Sequence, residues 1–172
     1  MKKLLLFGLI LSILSIMTYF GYQSYQKIKA KNEFVEQIKR QPSPSTFQWI
    51  GEKPSINEFS TIVLFFHPEC QHCQYEAKTI TEKQKEFVGV NLWWISFADS
   101  SSIKTFGKKY ALETHPHSYL AYLEAEKVTQ VFGSISIPHI FIYDHEYTLQ
   151  KEFKGETKVE ALLKYVKTKQ KR

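Results

Sequence analysis

The cysteine pair constrains this chain more than any other feature of its sequence. The two cysteines are the only ones in the chain, and two residues separate them in the segment Cys70-Gln71-His72-Cys73. The apolar, β-rich run 61–66 precedes the pair and predicts a strand buried on both faces. The stretch from Cys70 to about Phe87 predicts a helix. The pair therefore lies in the first helical turn, where this spacing lets the two sulfur atoms bond to each other.

The position of the pair at a helix N-terminus predicts different roles for its two thiols. Free backbone N–H groups and the helix dipole stabilise a thiolate at this end of a helix. Cys70 is therefore expected to be the exposed nucleophile and Cys73 the more buried resolving thiol. A Cys-x-x-Cys segment between a buried strand and a helix is typical of a redox motif.

Cysteine pairs of this spacing have three other uses in proteins. A structural disulfide across two residues would restrain little of the entropy of the unfolded chain. A zinc site usually takes four ligands, and this chain has one cysteine pair, although His67, His72 and His139 are available to bind zinc or copper. Covalent haem attachment requires a histidine directly after the second cysteine, where Gln74 stands. We therefore expect redox chemistry without a resident metal.

Predicted strands and helices alternate along the rest of the chain. Strands are expected at residues 46–50, 61–66, 90–97, 119–123, 138–143 and 148–153. Helices are expected between most of them, and a final amphipathic helix follows Gly155. The last two strands are joined by a tight turn at residues 144–146, so they must be antiparallel. The pattern predicts an α/β fold whose mixed central sheet has helices on both faces.

The segment 64–77, Leu-Phe-Phe-His-Pro-Glu-Cys-Gln-His-Cys-Gln-Tyr-Glu-Ala, resembles the active-site segment of the thioredoxin superfamily. Within that superfamily the chain looks most like the membrane-tethered, TlpA/ResA-like thiol–disulfide oxidoreductases of bacteria. The resemblance covers residues 46–168 and includes Ile137-Pro138, which opens a predicted strand. It implies a thioredoxin-like fold and an enzyme that exchanges disulfides with proteins, with reduction as the expected direction, and that needs no organic cofactor.

The resemblance also implies roles for individual residues. Cys70 matches the attacking cysteine and Cys73 the resolving one. Pro138 matches the cis-proline that faces the disulfide, and Ile137 matches the residue whose backbone binds a substrate segment. Glu76 matches an acid found near the active site in ResA-like members, and helical spacing places Cys73 and Glu76 on one face.

Three positions distinguish the chain from typical thioredoxins. Leu64 stands where those proteins keep a buried acid, and Glu69 stands where they have an aromatic residue. His72 lies between the cysteines, as in protein disulfide isomerase and DsbA, where a histidine favours the thiolate and makes the disulfide more oxidising. The negative charge of Glu69 acts in the opposite direction. We expect both residues to tune the reduction potential, with an ordinary solvated histidine as the alternative for position 72.

The N-terminus carries an apolar run, Leu4–Phe20, directly after two lysines. Its length of roughly 25 Å approaches the thickness of a bilayer core once Gly21-Tyr22 is added. No small-residue cleavage site follows the run. Residues 1–22 are therefore expected to form an uncleaved, single-pass anchor, with a cleaved signal peptide as the alternative. The N-terminus would be cytoplasmic, and the catalytic domain would lie on the periplasmic or extracytoplasmic side.

Residues 23–45 are expected to form a helical stalk and linker. A thin apolar stripe continues to Arg40, and two prolines in Gln41–Ser45 then interrupt the helix. The thioredoxin-like domain is expected at residues 46–172.

The charge of the chain bears on its partners. The formal net charge is +6, and much of the excess lies just after the apolar run and in the C-terminal tail. No basic run is interleaved with stacking aromatic residues, so no nucleic-acid partner is expected. Solvated helix faces or attraction to anionic lipid account for the charge. The expected partners are protein disulfides, the membrane, and a membrane electron donor that the sequence does not identify.

Two other functions are compatible with such a fold. One is a thiol peroxidase of the redoxin type, but peroxiredoxins as a family place a threonine three residues before the reactive cysteine, where this chain has His67. The other is a non-enzymatic, copper-binding assembly factor. Copper chaperones of this superfamily typically have a Cys-x-x-x-Cys spacing and a distant histidine, and the spacing here is one residue shorter.

Overall fold

The computed structural model describes residues 2–55, 57 and 59–166, with the side chains of residues 2–6, 9, 31, 34, 35 and 37 outside the described part. The chain forms two units, Met1–Gln37 and Ile38–Arg172. Helix α1 (Lys2–Ile38) accounts for the described residues of the first unit, and its last residue, Ile38, is the first residue of the second. Its length is consistent with the sequence, since the first proline of the chain is Pro42.

The membrane anchor was predicted on this helix. Across the described residues, no helix combines the length and the apolar character that crossing a bilayer requires. The predicted anchor, residues 1–22, falls in part on residues 1–6 and 9, whose side chains lie outside the described part. The anchor therefore stays a prediction.

The second unit contains six strands, four α-helices and three short 3₁₀ turns within its described residues. The elements are, in chain order, β1 (Gln48–Ile50), β2 (Ser60–Phe65), α2 (Gln71–Glu82), β3 (Val90–Ser96), α3 (Ser100–Lys109), β4 (Ser118–Tyr122), α4 (Ala125–Phe132), β5 (His139–Tyr143), β6 (Leu149–Lys154) and α5 (Val159–Val166). The 3₁₀ turns cover Pro44–Thr46, Gln84–Phe87 and Leu112–Thr114. All six predicted strands are present within two residues of their expected bounds.

The strands form one mixed sheet in the order β1-β4-β3-β2-β5-β6. Strands β2, β3 and β4 are parallel, whereas β1 and β5 pair antiparallel to β4 and β2. The predicted hairpin of β5 and β6 is confirmed, because these strands are antiparallel neighbours. The central strand β2 therefore ends beside β3 and β5, and the turn that follows it carries the cysteines.

The core lies on both faces of the sheet, which explains the continuous apolar runs. Every residue of β2, β3 and β5 is buried. On one face Ile62 and Leu64 join a core cluster with Cys73 and the buried apolar residues of α5. On the other face Phe132 of α4 contacts Phe65 and Phe141, with ring centroids 4.7 and 5.1 Å apart. A strand that is buried on both faces has no solvent-exposed side, so its sequence does not alternate between polar and apolar residues.

The structure differs from the sequence-based expectation at two boundaries. The helix after the cysteines ends at Glu82, and a tighter turn at Gln84–Phe87 then brings the Phe87 side chain into the core. The second unit begins at Ile38 and not at residue 46. The earlier start arises because the backbone of residues 39–41 pairs with residues 147–149, with Leu149 N donating to Lys39 O at 2.7 Å and Gln41 N to Tyr147 O at 2.8 Å.

Candidate active site at the start of helix α2

The cysteine pair lies where the central strand β2 gives way to helix α2. The Cys70 backbone is extended, at φ −75° and ψ 117°, and it occupies the N-cap position of the helix. Its N–H donates to His67 O at 3.0 Å, and its carbonyl accepts the first helical hydrogen bond from Gln74 N at 3.0 Å. Cys70 therefore stands at the helix end where backbone N–H groups are left free and the dipole favours a negative charge, although its thiol makes no capping hydrogen bond.

The two thiols differ in burial. Both are free cysteines, Cys70 half-buried and Cys73 buried with 1% of its surface exposed. Burial raises the pKa of the Cys73 thiol far above its ordinary value, and the neighbouring Cys70 and Glu76 raise it further, against a lowering backbone hydrogen bond from His67. Cys73 therefore stays protonated at neutral pH unless a base takes its proton. This contrast agrees with the order of attack predicted above, which itself stays a prediction.

A second loop brings a proline opposite the pair. The Ile137–Pro138 peptide bond is cis, as the resemblance predicted. The Ile137 carbonyl faces the active site, and its oxygen accepts from the Cys70 Sγ at 3.9 Å, a long contact that sulfur permits. Two segments separated by more than sixty residues in the sequence, the Cys70 turn and the Ile137 loop, therefore meet at one surface. The predicted role of Ile137 in binding substrate backbone stays a prediction.

Glu76 is a buried carboxyl group one helical turn after Cys73. Only 3% of its surface is exposed, and its Oε2 accepts from Thr157 N at 2.9 Å. Its other oxygen, Oε1, is buried and has no hydrogen-bond partner among the described residues. Burial raises the pKa of Glu76 from its ordinary value of 4.5 to about 7, with a further rise from the Glu156 charge and an opposing effect of the Thr157 N–H. The group can thus gain or lose a proton near neutral pH.

This raised pKa predicts a measurable dependence of stability on pH. The carboxyl group of Glu76 binds its proton more tightly in the folded chain than in the unfolded chain. Its contribution to the free energy of unfolding is therefore complete below the pKa of the unfolded state, and it is lost as the pH rises through about 7. The loss amounts to about 3 kcal/mol between pH 4 and 8.5. Glutamine does not titrate, so Glu76→Gln should not show this loss. From pH 4 to 8.5, the free energy of unfolding of the variant should therefore rise by about 3 kcal/mol relative to that of the wild type. Urea unfolding of the reduced full chain at both pH values measures the difference, and an equal difference at both would contradict the assignment.

The two residues predicted to tune the pair lie at its rim. His72 is exposed, and its Nδ1 lies 2.9 Å from Glu156 Oε2. Glu69 is exposed in the preceding turn, where its backbone N–H donates to His67 Nδ1 at 3.3 Å. Glu156 is a residue that the sequence analysis missed, because 84 positions separate it from His72. The structure brings both predicted residues beside the cysteines and leaves their effect on the reduction potential as a prediction.

A tripeptide after β6, Gly155-Glu156-Thr157, contacts three parts of the site. Gly155 N donates to Pro138 O at 2.8 Å, Glu156 contacts His72, and Thr157 N donates to the Glu76 carboxylate. Gly155 has a φ of +91°, a backbone region that side chains disfavour, so glycine suits this sharp turn. The sequence pattern indicated Gly155 only as a helix boundary, and the contacts of its neighbours were not predicted.

The histidines considered as metal ligands have other partners. His72 contacts Glu156, His139 Nε2 lies 2.7 Å from Glu152 Oε1, and the His67 ring lies against Phe97. Among the described residues, no group of three or more histidine, cysteine or acidic side chains is arranged to hold a metal ion.

Known proteins resemble this chain along almost its whole length. The model of the AhpC/TSA family matches residues 39–152. The thiol–disulfide oxidoreductase ResA of Bacillus cereus is 26% identical over 174 aligned positions, which cover 97% of this chain and 98% of that protein. ResA of Bacillus thuringiensis has the same identity and coverage.

Solved structures show the same fold at lower identity. StoA from Bacillus subtilis superposes with a TM-score of 0.57 at 18% identity, covering 71% of this chain and 95% of its own. A secreted disulfide oxidoreductase of Mycobacterium tuberculosis superposes with a TM-score of 0.58 at 16% identity, covering 76% of this chain and 96% of its own. The match over residues 39–152 shows that this chain belongs to the AhpC/TSA family. The solved structures show its thioredoxin-like fold, and with the two ResA relatives the chain is a TlpA/ResA-like thiol–disulfide oxidoreductase.

Proposed function

We propose that this protein exchanges disulfides with extracytoplasmic proteins through Cys70 and Cys73, and that reduction of the substrate is its physiological direction. One observation carries the proposal: the half-buried thiol of Cys70, the N-cap residue of helix α2, contacts the carbonyl before a cis-proline, and a second, buried thiol lies in the first turn of the same helix. The exposed thiol is accessible to a substrate disulfide, and the buried one is accessible only to its partner.

The exchange has two balanced steps. The Cys70 thiolate attacks one sulfur of a substrate disulfide, which forms a mixed disulfide and releases the other substrate sulfur as a thiolate. The Cys73 sulfur, once deprotonated, attacks Cys70 Sγ, and the second substrate sulfur leaves. The substrate gains two electrons and two protons, and the protein is left with a Cys70–Cys73 disulfide. A membrane electron donor of the dithiol class would then reduce that disulfide again.

Glu76 is the group best placed to remove the proton from Cys73. Both side chains are buried on one face of α2, one helical turn apart. The Oε1 atom has no partner among the described residues, and the pKa of about 7 suits a base that works near neutral pH. Thr157 N–H holds Oε2 and thereby orients the carboxylate. These features support a role for Glu76 as the base of the resolving step.

The experiment that tests the function compares two classes of oxidant. The reduced full chain is mixed with a disulfide-bonded protein such as insulin or with hydrogen peroxide, and thiol loss is followed in each case. We expect fast reaction with the protein disulfide and slow reaction with peroxide, since His67 stands where peroxiredoxins carry threonine. Rapid consumption of peroxide with no reduction of the disulfide would instead identify a thiol peroxidase. Copper retained by the purified, reduced protein would favour the assembly-factor alternative.

The extracytoplasmic location depends on the N-terminal segment, and we propose that residues 1–22 anchor the protein in the membrane. The support is the apolar run Leu4–Phe20, which lacks a small-residue cleavage site. Fractionation should recover the full-length chain in membranes, and protease added from the outer side should digest residues 46–172. A soluble chain whose N-terminus begins near residue 21 would show that the segment is a cleaved signal peptide.

A further inference from the structure

His139 is a buried histidine directly beside the substrate-facing loop, and neither the mechanism nor a metal site uses it. It is the first residue of β5, it follows the cis-proline Pro138, and only 1% of its surface is exposed. Its ring stacks on Phe141, with centroids 4.6 Å apart and the planes within 4° of parallel. A buried imidazole needs partners for both nitrogens.

Both ring nitrogens have such partners. Nδ1 accepts from Ser136 N at 3.2 Å, and Nε2 lies 2.7 Å from Glu152 Oε1. A backbone N–H can only donate, so Nδ1 must be unprotonated, and in the neutral ring the proton lies on Nε2 and is donated to the Glu152 carboxylate. Burial lowers the pKa of His139, against an opposing effect of Glu152, and so favours the neutral ring.

Hydrogen bonds on both sides of Ile137 fix the backbone of the loop that carries this residue. Ser136 N–H is held by the His139 ring on one side of Ile137, and Pro138 O accepts from Gly155 N on the other side. The Ile137 carbonyl between them faces Cys70 Sγ. In the sheet, His139 pairs with Phe65, the last residue of the strand that leads into the cysteine turn. His139 therefore holds the loop through its ring and pairs through its backbone with the strand that leads to the cysteines.

We propose that His139 is a positioning residue for disulfide exchange, whose Nδ1 holds the Ser136 amide and so orients the Ile137 backbone toward a protein substrate. The inference rests on the proposed function, since a fixed Ile137 backbone matters only if that loop binds substrate. The positioning role should affect two kinds of substrate differently. A protein disulfide must lie along the loop to react, whereas a small aromatic disulfide needs only to reach Cys70.

Three replacements separate the loop contact from packing and from the Glu152 contact. His139→Asn places an amide oxygen near the position of Nδ1 and keeps an acceptor for Ser136 N–H. His139→Gln places its amide near the position of Nε2, so it keeps the Glu152 contact and loses that acceptor. His139→Phe keeps the ring stacked on Phe141 and loses both polar contacts.

The test measures second-order rate constants of each reduced full-length variant with insulin and with 5,5′-dithiobis(2-nitrobenzoate). We expect His139→Gln and His139→Phe to react about 10-fold more slowly with insulin, because a displaced loop misaligns the substrate. The small disulfide should react at the wild-type rate with both, and His139→Asn should stay near wild type with both substrates. Full insulin reactivity in His139→Gln, or an equal loss with both disulfides, would overturn the positioning role.

A second test uses the wild-type protein, so it does not depend on whether a variant folds. ¹⁵N NMR of the imidazole at pH 7 should show a proton on Nε2 and none on Nδ1, and the Ser136 amide should exchange slowly with solvent. A protonated Nδ1 would overturn the proposal even if the protein reduces disulfides. A wild type that reacts with neither disulfide would instead overturn the proposed function, and the positioning role with it.

Discussion

Replacing Cys73 with serine should turn the protein into a trap for its substrates. The Cys70 thiolate at the helix N-cap can still attack a disulfide, but no second thiol is present to release the product. Mixed disulfides should accumulate and dissociate on addition of dithiothreitol. Cys70→Ser should trap almost nothing, because the remaining thiol is 1% exposed and burial raises its pKa far above the ordinary value. Non-reducing electrophoresis followed by mass spectrometry measures the adducts.

The matched pair of cysteine variants contains its own control. Both remove one sulfur atom from the same helical turn, so a general effect on folding would reduce trapping in both. A double variant, Cys70→Ser with Cys73→Ser, sets the background. Equal trapping by the two single variants would show that the order of attack is wrong.

Glu76→Gln should slow resolution of the mixed disulfide by about 10- to 100-fold, at the lower end of the effects of general acid–base catalysis. Gln keeps an oxygen that can accept from Thr157 N–H and removes the group that takes the Cys73 proton. The first step, attack by Cys70, should keep its rate, because Cys70 reaches substrate without that base. Rapid-quench analysis of mixed-disulfide formation and decay between pH 6 and 8 separates the two steps.

The control for this variant lies on the same helix. Glu82 is an exposed carboxylate at the end of α2, 3.8 Å from Lys78, and Glu82→Gln removes the same charge without touching the buried site. Its resolution rate should equal that of the wild type. If Glu76→Gln resolves mixed disulfides at the wild-type rate throughout this pH range, Glu76 is a structural residue and Cys73 has another base.

Local patterns were sufficient to predict the architecture of the site. The run 61–66 identified the buried strand, and the spacing of Cys70 and Cys73 placed the thiols in the first turn of a helix, because both features depend on residues that are adjacent in sequence. The cis peptide before Pro138 was predicted from the resemblance and is present. Helical spacing also placed Glu76 on the face of Cys73.

The contacts that tune the site could not be predicted in this way. Thr157 meets Glu76 across 81 positions and Glu156 meets His72 across 84, and no periodic pattern in the sequence marks such pairs. Glu76 is buried, which raises its pKa, where the segment between β6 and α5 meets α2 through the Thr157 N–H. His139 was considered only as a metal ligand, since its stacking on Phe141 and its bond to Ser136 N–H exist only in the folded sheet.

The start of the second unit illustrates a further limit. Residues 39–41 join the domain through backbone hydrogen bonds to residues 147–149, and backbone pairing of this kind leaves no signature in the side chains. The two prolines in Gln41–Ser45 suggested a linker. They instead follow residues 39–41, which pair with residues 147–149 of the domain.

A redox map of a single turnover shows whether Cys70 and Cys73 carry the exchange. The fully reduced full chain is mixed with one equivalent of a disulfide-bonded protein, free thiols are alkylated, and the peptides are identified by mass spectrometry. We expect one Cys70–Cys73 disulfide for every substrate disulfide reduced, with both cysteines free before mixing. A substrate that stays oxidised while Cys70 and Cys73 stay reduced, or a substrate that is reduced without formation of the Cys70–Cys73 bond, would contradict it.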